Sequence, residues 1–221
     1  MSAAVRLEAR KLVVAYGRGV RVLDGVDLAL RPGESVAIVG PSGSGKSTLL
    51  AHLAGLRQPE GGEVRFEGRP LASQASSELD RFRASQLGFV FQRAALLPFL
   101  TVRENVCLGF GCLEPRARAE SASRVGPLLE RTGLAPLADR RADRLSVGEA
   151  QRVAVTRALV KNPPFVLADE PTGAVDADGA AAIVDLLLLD RSDRTVVIAT
   201  HDPRVSARCD RVLAVREGRL V

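Results

Sequence analysis

The sequence predicts an α/β fold: a mostly parallel sheet core, an N-terminal antiparallel β part, and a helical subdomain inserted in the middle of the chain. Three observations carry this expectation. Short apolar runs bounded by turn residues (SVAIV at 35–39, FVLA at 165–168, TVVIA at 195–199) read as strands buried on both faces. Helical patterns alternate with these runs, as a parallel sheet requires. Residues 93–161 instead show a 3.6-residue period interrupted by Pro98, Pro115, Pro127 and Pro136, the pattern of a helical insertion. The expected division is a catalytic core of residues 1–92 and 162–221, with 93–161 as the inserted subdomain of one domain.

Taken in order, residues 5–16 alternate and predict a strand, and 22–30 predict a second. Arg31-Pro32-Gly33-Glu34 is a turn before the strand at 35–39, and a helix is expected from Lys46 to about Leu56. Pro59-Glu60-Gly61-Gly62 is another turn, followed by a strand at 63–66 and a further one at 87–91. After the helical block, strands are expected at 165–168, 195–199 and 212–215. An apolar helix over 176–189 separates the first two.

A length of 221 residues, with 46% hydrophobic and 26% charged residues, suits one globular domain with a real core. The net charge of +5 comes from Arg spread along the chain, with no basic tail and no interleaved aromatics. That is a solvated surface rather than a nucleic-acid groove, so no nucleic-acid partner is expected. Cys107, Cys112 and Cys209 form no CxxC pair, and their odd number argues for reduced thiols. The N-terminus MSAAVRLEARKL lacks a signal-peptide core. The longest apolar runs are broken by Asp185 and Asp190, so no membrane span is expected.

The chemistry begins at Gly40-Pro41-Ser42-Gly43-Ser44-Gly45-Lys46-Ser47, which matches G-x-x-x-x-G-K-[ST] between a strand and a helix. Its glycines let backbone N–H groups converge on phosphate oxygens, and the helix N-terminus adds positive potential. Lys46 is expected on the β/γ-phosphates and Ser47 on Mg²⁺. The expectation is a nucleoside triphosphate site, the phosphate loop of the P-loop NTPase fold class. Asp169-Glu170 closes the strand FVLA at the sheet edge where ligands bind. Asp169 is expected in the Mg²⁺ shell, and Glu170 to orient or deprotonate the attacking water. Asp202-Pro203 is an N-cap followed by N1, which leaves His201 at a strand end where an imidazole reaches a γ-phosphate. His52, inside the helix after the loop, reads as structural. Gln92 follows LGFVF, and a neutral amide there can hold and release Mg²⁺; the alternative is a plain loop glutamine.

In this order the pieces resemble the ATPase subunit of the ATP-binding cassette family over essentially the whole chain. FVFQRAALLPFLTVRENV and LADEPTGAVD look most like its lipoprotein-releasing and macrolide-export members. The resemblance implies adenine stacking by Tyr16 and nucleotide contacts through Thr48, Gln92 and Asp176. It also implies that RLSVGEAQR (144–152) is the LSGGQ-type signature, through which Ser146 and Gly148 contact a nucleotide held by a second subunit. Two ATPase subunits, identical or not, would enclose two ATP molecules with Mg²⁺. They would work with an integral membrane permease at the cytoplasmic face of the cell membrane, in export or mechanotransmission. The permease is expected to dock near the apolar segment 94–100, with Leu96 and Phe99 as the exposed contacts; the alternative is that these residues are core of the helical subdomain. The ending EGRLV implies no regulatory extension of the kind some importers carry. A DNA-repair or translation cassette fits the length poorly. A cell-division-like scaffold ATPase that gates a membrane complex is the alternative reading.

Ser146 and Glu149, three residues apart, form a capping box whatever the function. Val147 stands where the family has its first signature glycine, and Glu149 where it has glutamine.

Overall fold

The computed structural model describes residues 6–16, 20–189 and 194–221. Val5, the predicted first strand residue, and Asp190 lie outside them. Strands β1 (Leu7–Tyr16), β2 (Val20–Leu30) and β3 (Ser35–Val39) lead into helix α1 (Lys46–Leu53). Then follow β4 (Gly61–Phe66), β5 (Arg69–Pro70), α2 (Ser76–Gln86) and β6 (Leu87–Val90). Four helices come next: α3 (Val102–Cys107), α4 (Pro115–Ser123), α5 (Val125–Arg131) and α6 (Val147–Leu159). The chain closes with β7 (Phe165–Asp169), α7 (Ala177–Leu187), β8 (Thr195–Thr200), α8 (Pro203–Ser206), β9 (Arg211–Arg216) and β10 (Arg219–Leu220).

Two sheets form. One is antiparallel, in the order β2-β1-β4-β5; the other runs β10-β9-β3-β8-β7-β6 and is parallel except at its β10 edge. The residue patterns explain the difference. In β2, Val26, Leu28 and Leu30 are buried while Asp27 and Ala29 are exposed, the alternation of a sheet with one wet face. In β3, Val36, Ala37 and Ile38 are all fully buried, as a strand covered on both sides must be. Glu67-Gly68 and Glu217-Gly218 both have positive φ at their two residues, which joins β4 to β5 and β9 to β10 by two-residue turns.

Helix α1 stops earlier than its apolar pattern suggests. Gly55 takes φ 63°, its N–H donates to the His52 carbonyl, and the Leu56 N–H donates to Ala51. That is a Schellman stop three residues before Leu56 would have ended a helix. His52 is buried and its Nδ1 lies 2.8 Å from the Thr48 carbonyl, a structural role. Helix α2 answers no pattern in the sequence, because only Leu79 and Phe82 of its residues are buried. In α5, Pro127 sits in the first turn, where no helical N–H partner is needed, and does not break the helix.

The sheets and α1 share one apolar cluster, and the helical block has its own around Val102, Val106, Phe110, Val125, Leu129 and Val153. Helix α6 serves two clusters: Val153 faces the helical block while Val155, Ala158 and Leu159 pack with Val166 and Ile198 of the parallel sheet. The cysteines are free, and no helix among the described residues is long and apolar enough to cross a membrane.

Candidate nucleotide site

Four parallel strands deliver the site at their carboxyl ends: β3 carries the glycine loop, β7 ends at Asp169, β8 precedes His201, and β6 precedes Gln92. This is the edge at which open α/β sheets bind ligands. Beside it lies a cleft of about 640 Å³, walled by Tyr16, residues 41–48, Gln92, Glu170 and His201. Val22 and Gly173 also line it, and no sequence pattern pointed to either.

The loop geometry demands its glycines. Gly40 has φ 156°, and a Cβ there would come within 2.8 Å of the Val215 carbonyl. Gly45 has φ 106° at the N-cap of α1, with a Cβ meeting the Val22 carbonyl at 3.0 Å. The loop therefore brings bare backbone to the start of a helix with no acidic residue in its first turn, a ready anion site. Lys46 is buried, and its Nζ donates to the carbonyls of Gly40 at 2.9 Å and Pro41 at 3.1 Å.

Ser47 Oγ donates to Asp169 Oδ1 at 2.9 Å, so two of the three predicted Mg²⁺ ligands are neighbours. Burial pushes the Asp169 carboxyl up and the negative Glu170 adds to this, while the Ser47 bond and the Lys46 charge pull it back. Glu170 is held in the left-handed region at φ 43°, a backbone state costing of order 1–3 kcal/mol for such a residue. Its N–H donates to the Ala199 carbonyl at 2.9 Å, which anchors it to β8. Its carboxylate is nearly buried, with Oε1 3.4 Å from Lys46 Nζ and Oε2 2.9 Å from His201 Nδ1. His201 itself stays largely exposed. Asp202 and Pro203 start α8 as the N-cap and N1 that the sequence predicts, with the Arg204 N–H donating to Asp202.

Tyr16 is half-exposed at the cleft wall, with the Arg57 guanidinium 5.5 Å from its ring centre and donating to its hydroxyl at 3.3 Å. Gln92 is exposed at the opposite border, beyond the end of β6. Ser146, Gly148 and Asp176 are not among the residues that line this cleft. They form a second group. Ser146 caps α6 in a reciprocal box with Glu149, and a Cβ on Gly148 would lie 3.6 Å from Val175. Asp176 caps α7 by accepting from the Gly179 N–H at 2.8 Å.

A strand, a glycine loop and a helix at the centre of a parallel sheet, with an acidic pair on a nearby strand, define a P-loop nucleoside triphosphatase. Residues 23–173 match the ABC transporter family (ABC_tran), and the chain belongs to it. It is 43% identical to the lipoprotein-releasing system ATP-binding protein LolD 2 of Rhodospirillum rubrum, over 97% of this chain and 95% of that one. It is 41% identical to the macrolide export ATP-binding/permease protein MacB of Marinobacter nauticus over its full length, while spanning only 35% of that relative. Among solved structures it resembles the dimeric ATP-binding cassette MJ0796 in a post-hydrolysis state bound to ADP and Pi. That match has TM-score 0.85 and 35% identity, over 97% of this chain and 96% of that one. The chain is thus an ATP-binding cassette and an ATPase.

Proposed function

We propose that this cassette is the ATP-hydrolysing subunit of a transporter of the export or mechanotransmission type, working as a dimer on a separate membrane permease at the cytoplasmic face. One observation carries the dimer. The phosphate loop, Gln92, Glu170 and His201 surround one cleft, whereas Ser146 and Gly148 stand outside it. The first turn of α6, beginning at exposed Ser146 and Val147, has no cleft of its own chain to face. A second chain laid across the cleft supplies a nucleotide there, and each site is completed by the other chain. The similarity to LolD 2 and MacB favours this reading over a scaffold that gates a membrane complex. In the same reading, residues 1–92 and 162–221 form the catalytic core and 93–161 the helical insertion.

The chemistry follows from the residues. Loop N–H groups and Lys46 hold the phosphates, and Tyr16 stacks on the adenine. Ser47, Asp169 and Gln92 are oxygen donors suited to Mg²⁺, which when bound neutralises charge on the phosphates. Glu170 orients a water and accepts its proton as the water oxygen bonds to the γ-phosphorus. The bond from that phosphorus to the β–γ bridging oxygen then breaks, leaving ADP. His201, sharing the Glu170 carboxylate, holds Glu170 in place and faces the γ-phosphate. Asp176 positions α7 at the dimer face.

The permease seat we assign to the surface beyond Gln92. There Phe99 is 62% exposed, and Phe91 and Leu97 are also open to solvent. Leu96 is half-buried against the helical cluster, so of the two expected contacts Phe99 is the stronger.

The test is ATP-dependent dimerisation of Glu170→Gln, measured by size-exclusion chromatography with light scattering. Dimer is expected with ATP and monomer with ADP. Lys46→Ala is the control: it weakens ATP binding roughly tenfold or more, the loss of a charge-assisted contact, and forms no dimer. Monomer at saturating ATP in Glu170→Gln would overturn the dimer reading.

A further inference from the structure

The segment joining β6 to α3 holds Gln92 and has almost no secondary structure of its own. Its backbone is nevertheless fixed at many points. Gln151 of α6, itself buried, donates through Nε2 to the Phe91 carbonyl at 3.2 Å. Arg157, two turns further along α6, donates from Nη1 to the Ala95 carbonyl and from Nη2 to the Ala94 carbonyl, both at 2.8 Å. Ala95 is held in the left-handed region at φ 47°, which a non-glycine residue adopts only when its surroundings over-determine it. Asn105 of α3 then takes the Leu97 N–H on Oδ1 and donates to the carbonyls of Leu97, Leu100 and Thr101. The carbonyls of Pro98 and Leu100 accept from Asp143 and Ala142, just before the capped start of α6.

Among the described residues, each of these anchors on residues 94–100 belongs to the helical block. Gln92 therefore sits between two points, Phe91 and Ala94, that α6 holds by side chains. Its backbone is thus held by α6 as well as by the strand from which it emerges.

We infer that Gln151 and Arg157 are positioning residues for Gln92, and that through them α6 links two nucleotides. The side of the helix places Gln92 at its own chain's ATP, while its first turn carries Ser146 and Gly148 to the ATP of the second subunit. This rests on the proposed roles of Gln92 and of the signature. It adds the mechanical path: a shift of α6 at one site moves the Gln92 backbone at the other, because three carbonyls are tied to one rigid helix.

The experiment is a double-mutant cycle on the full chain with steady-state ATP hydrolysis as the readout. Gln151→Met keeps the shape and removes the donor. It is expected to lower kcat roughly three- to tenfold, the loss of one buried hydrogen bond at the rate-limiting geometry, with KM for ATP within twofold. In a Gln92→Ala background the same change is expected to do nothing further, since the residue it positions has gone. Arg157→Met, which keeps much of the apolar stem and removes both donors, is the second variant and should behave alike, so the inference is testable if Gln151→Met folds poorly. Equal losses of kcat in both backgrounds would overturn the inference while leaving Gln92 in its role. An unchanged kcat in Gln92→Ala alone would remove that role, and the inference with it.

Discussion

His201 Nδ1 lies 2.9 Å from Glu170 Oε2, although the two residues leave the sheet from different strands. Because the other Glu170 oxygen faces Lys46 at 3.4 Å, the carboxylate is fixed at both ends. A base held this way needs no reorganisation when water arrives. Glu170→Gln is expected to lower ATP turnover by roughly 10²–10⁴ while ATP binding persists. His201→Ala is expected to lower turnover less, because Lys46 still restrains the carboxylate. Wild-type turnover in Glu170→Gln, measured by phosphate release, would sink the assignment of the base.

In the proposed reading Tyr16, with Arg57 against its ring, marks the adenine end of the cleft. The guanidinium over the ring braces the tyrosine, an arrangement of the cation–π type. Tyr16→Ala is expected to weaken ATP binding with little effect on tripolyphosphate, which has no base to stack. Arg57→Met should weaken ATP about two- to fivefold, within the range of an exposed cation–π contact. Competition titrations with both ligands check it; equal losses for both would refute the stacking role.

Val147 is the first residue of α6 and 61% exposed. Its branched side chain stands beside the N–H groups that the reading above directs at the second subunit's phosphates. Val147→Gly is expected to raise the turnover of the dimer, at a stability cost of no more than about 1 kcal/mol. Unchanged turnover would mean that the interface accommodates the valine.

The Ser146–Glu149 box stabilises the same helix and makes it acid-sensitive. The backbone bond from Ser146, aided by its hydroxyl, holds the Glu149 carboxyl below the usual range, and Glu104 is held down likewise by Thr101. Carboxyls lowered by folding contribute stability above the ordinary glutamate pKa, and that contribution is lost as pH falls through their folded values. Glu149→Ala should cost about 1 kcal/mol at neutral pH, with a penalty that shrinks as pH falls and the wild-type carboxylate becomes protonated. Thermal melts across pH 3–7 measure this; a penalty independent of pH would refute the linkage.

Much of this molecule is local and legible in the chain. The glycine loop between SVAIV and a helix, Asp202-Pro203 opening α8, and Ser146 three residues from Glu149 each depend on neighbours in sequence, where backbone geometry and side-chain reach suffice. Lys46, Ser47, Asp169 and Glu170 therefore stand out in the chain as candidates for phosphate and metal chemistry. Helix α2 does not, because two buried residues make too thin a stripe to show a period.

Tertiary structure decided who meets whom. Ser47 reaches Asp169 across 122 residues, His201 reaches Glu170 across 31, and Gln151 reaches Phe91 across 60. All depend on the order β3-β8-β7-β6, which the apolar runs do not encode: a strand covered on both faces carries no alternation to say which neighbour it prefers. Packing chose that order, and with it set Asp169 beside Ser47 and left Ser146 and Gly148 outside their own chain's cleft. The sequence by itself determined the parts of a phosphate site; only the folded sheet determined which of them share the cleft and which residues, Ser146 and Gly148 among them, stand outside it.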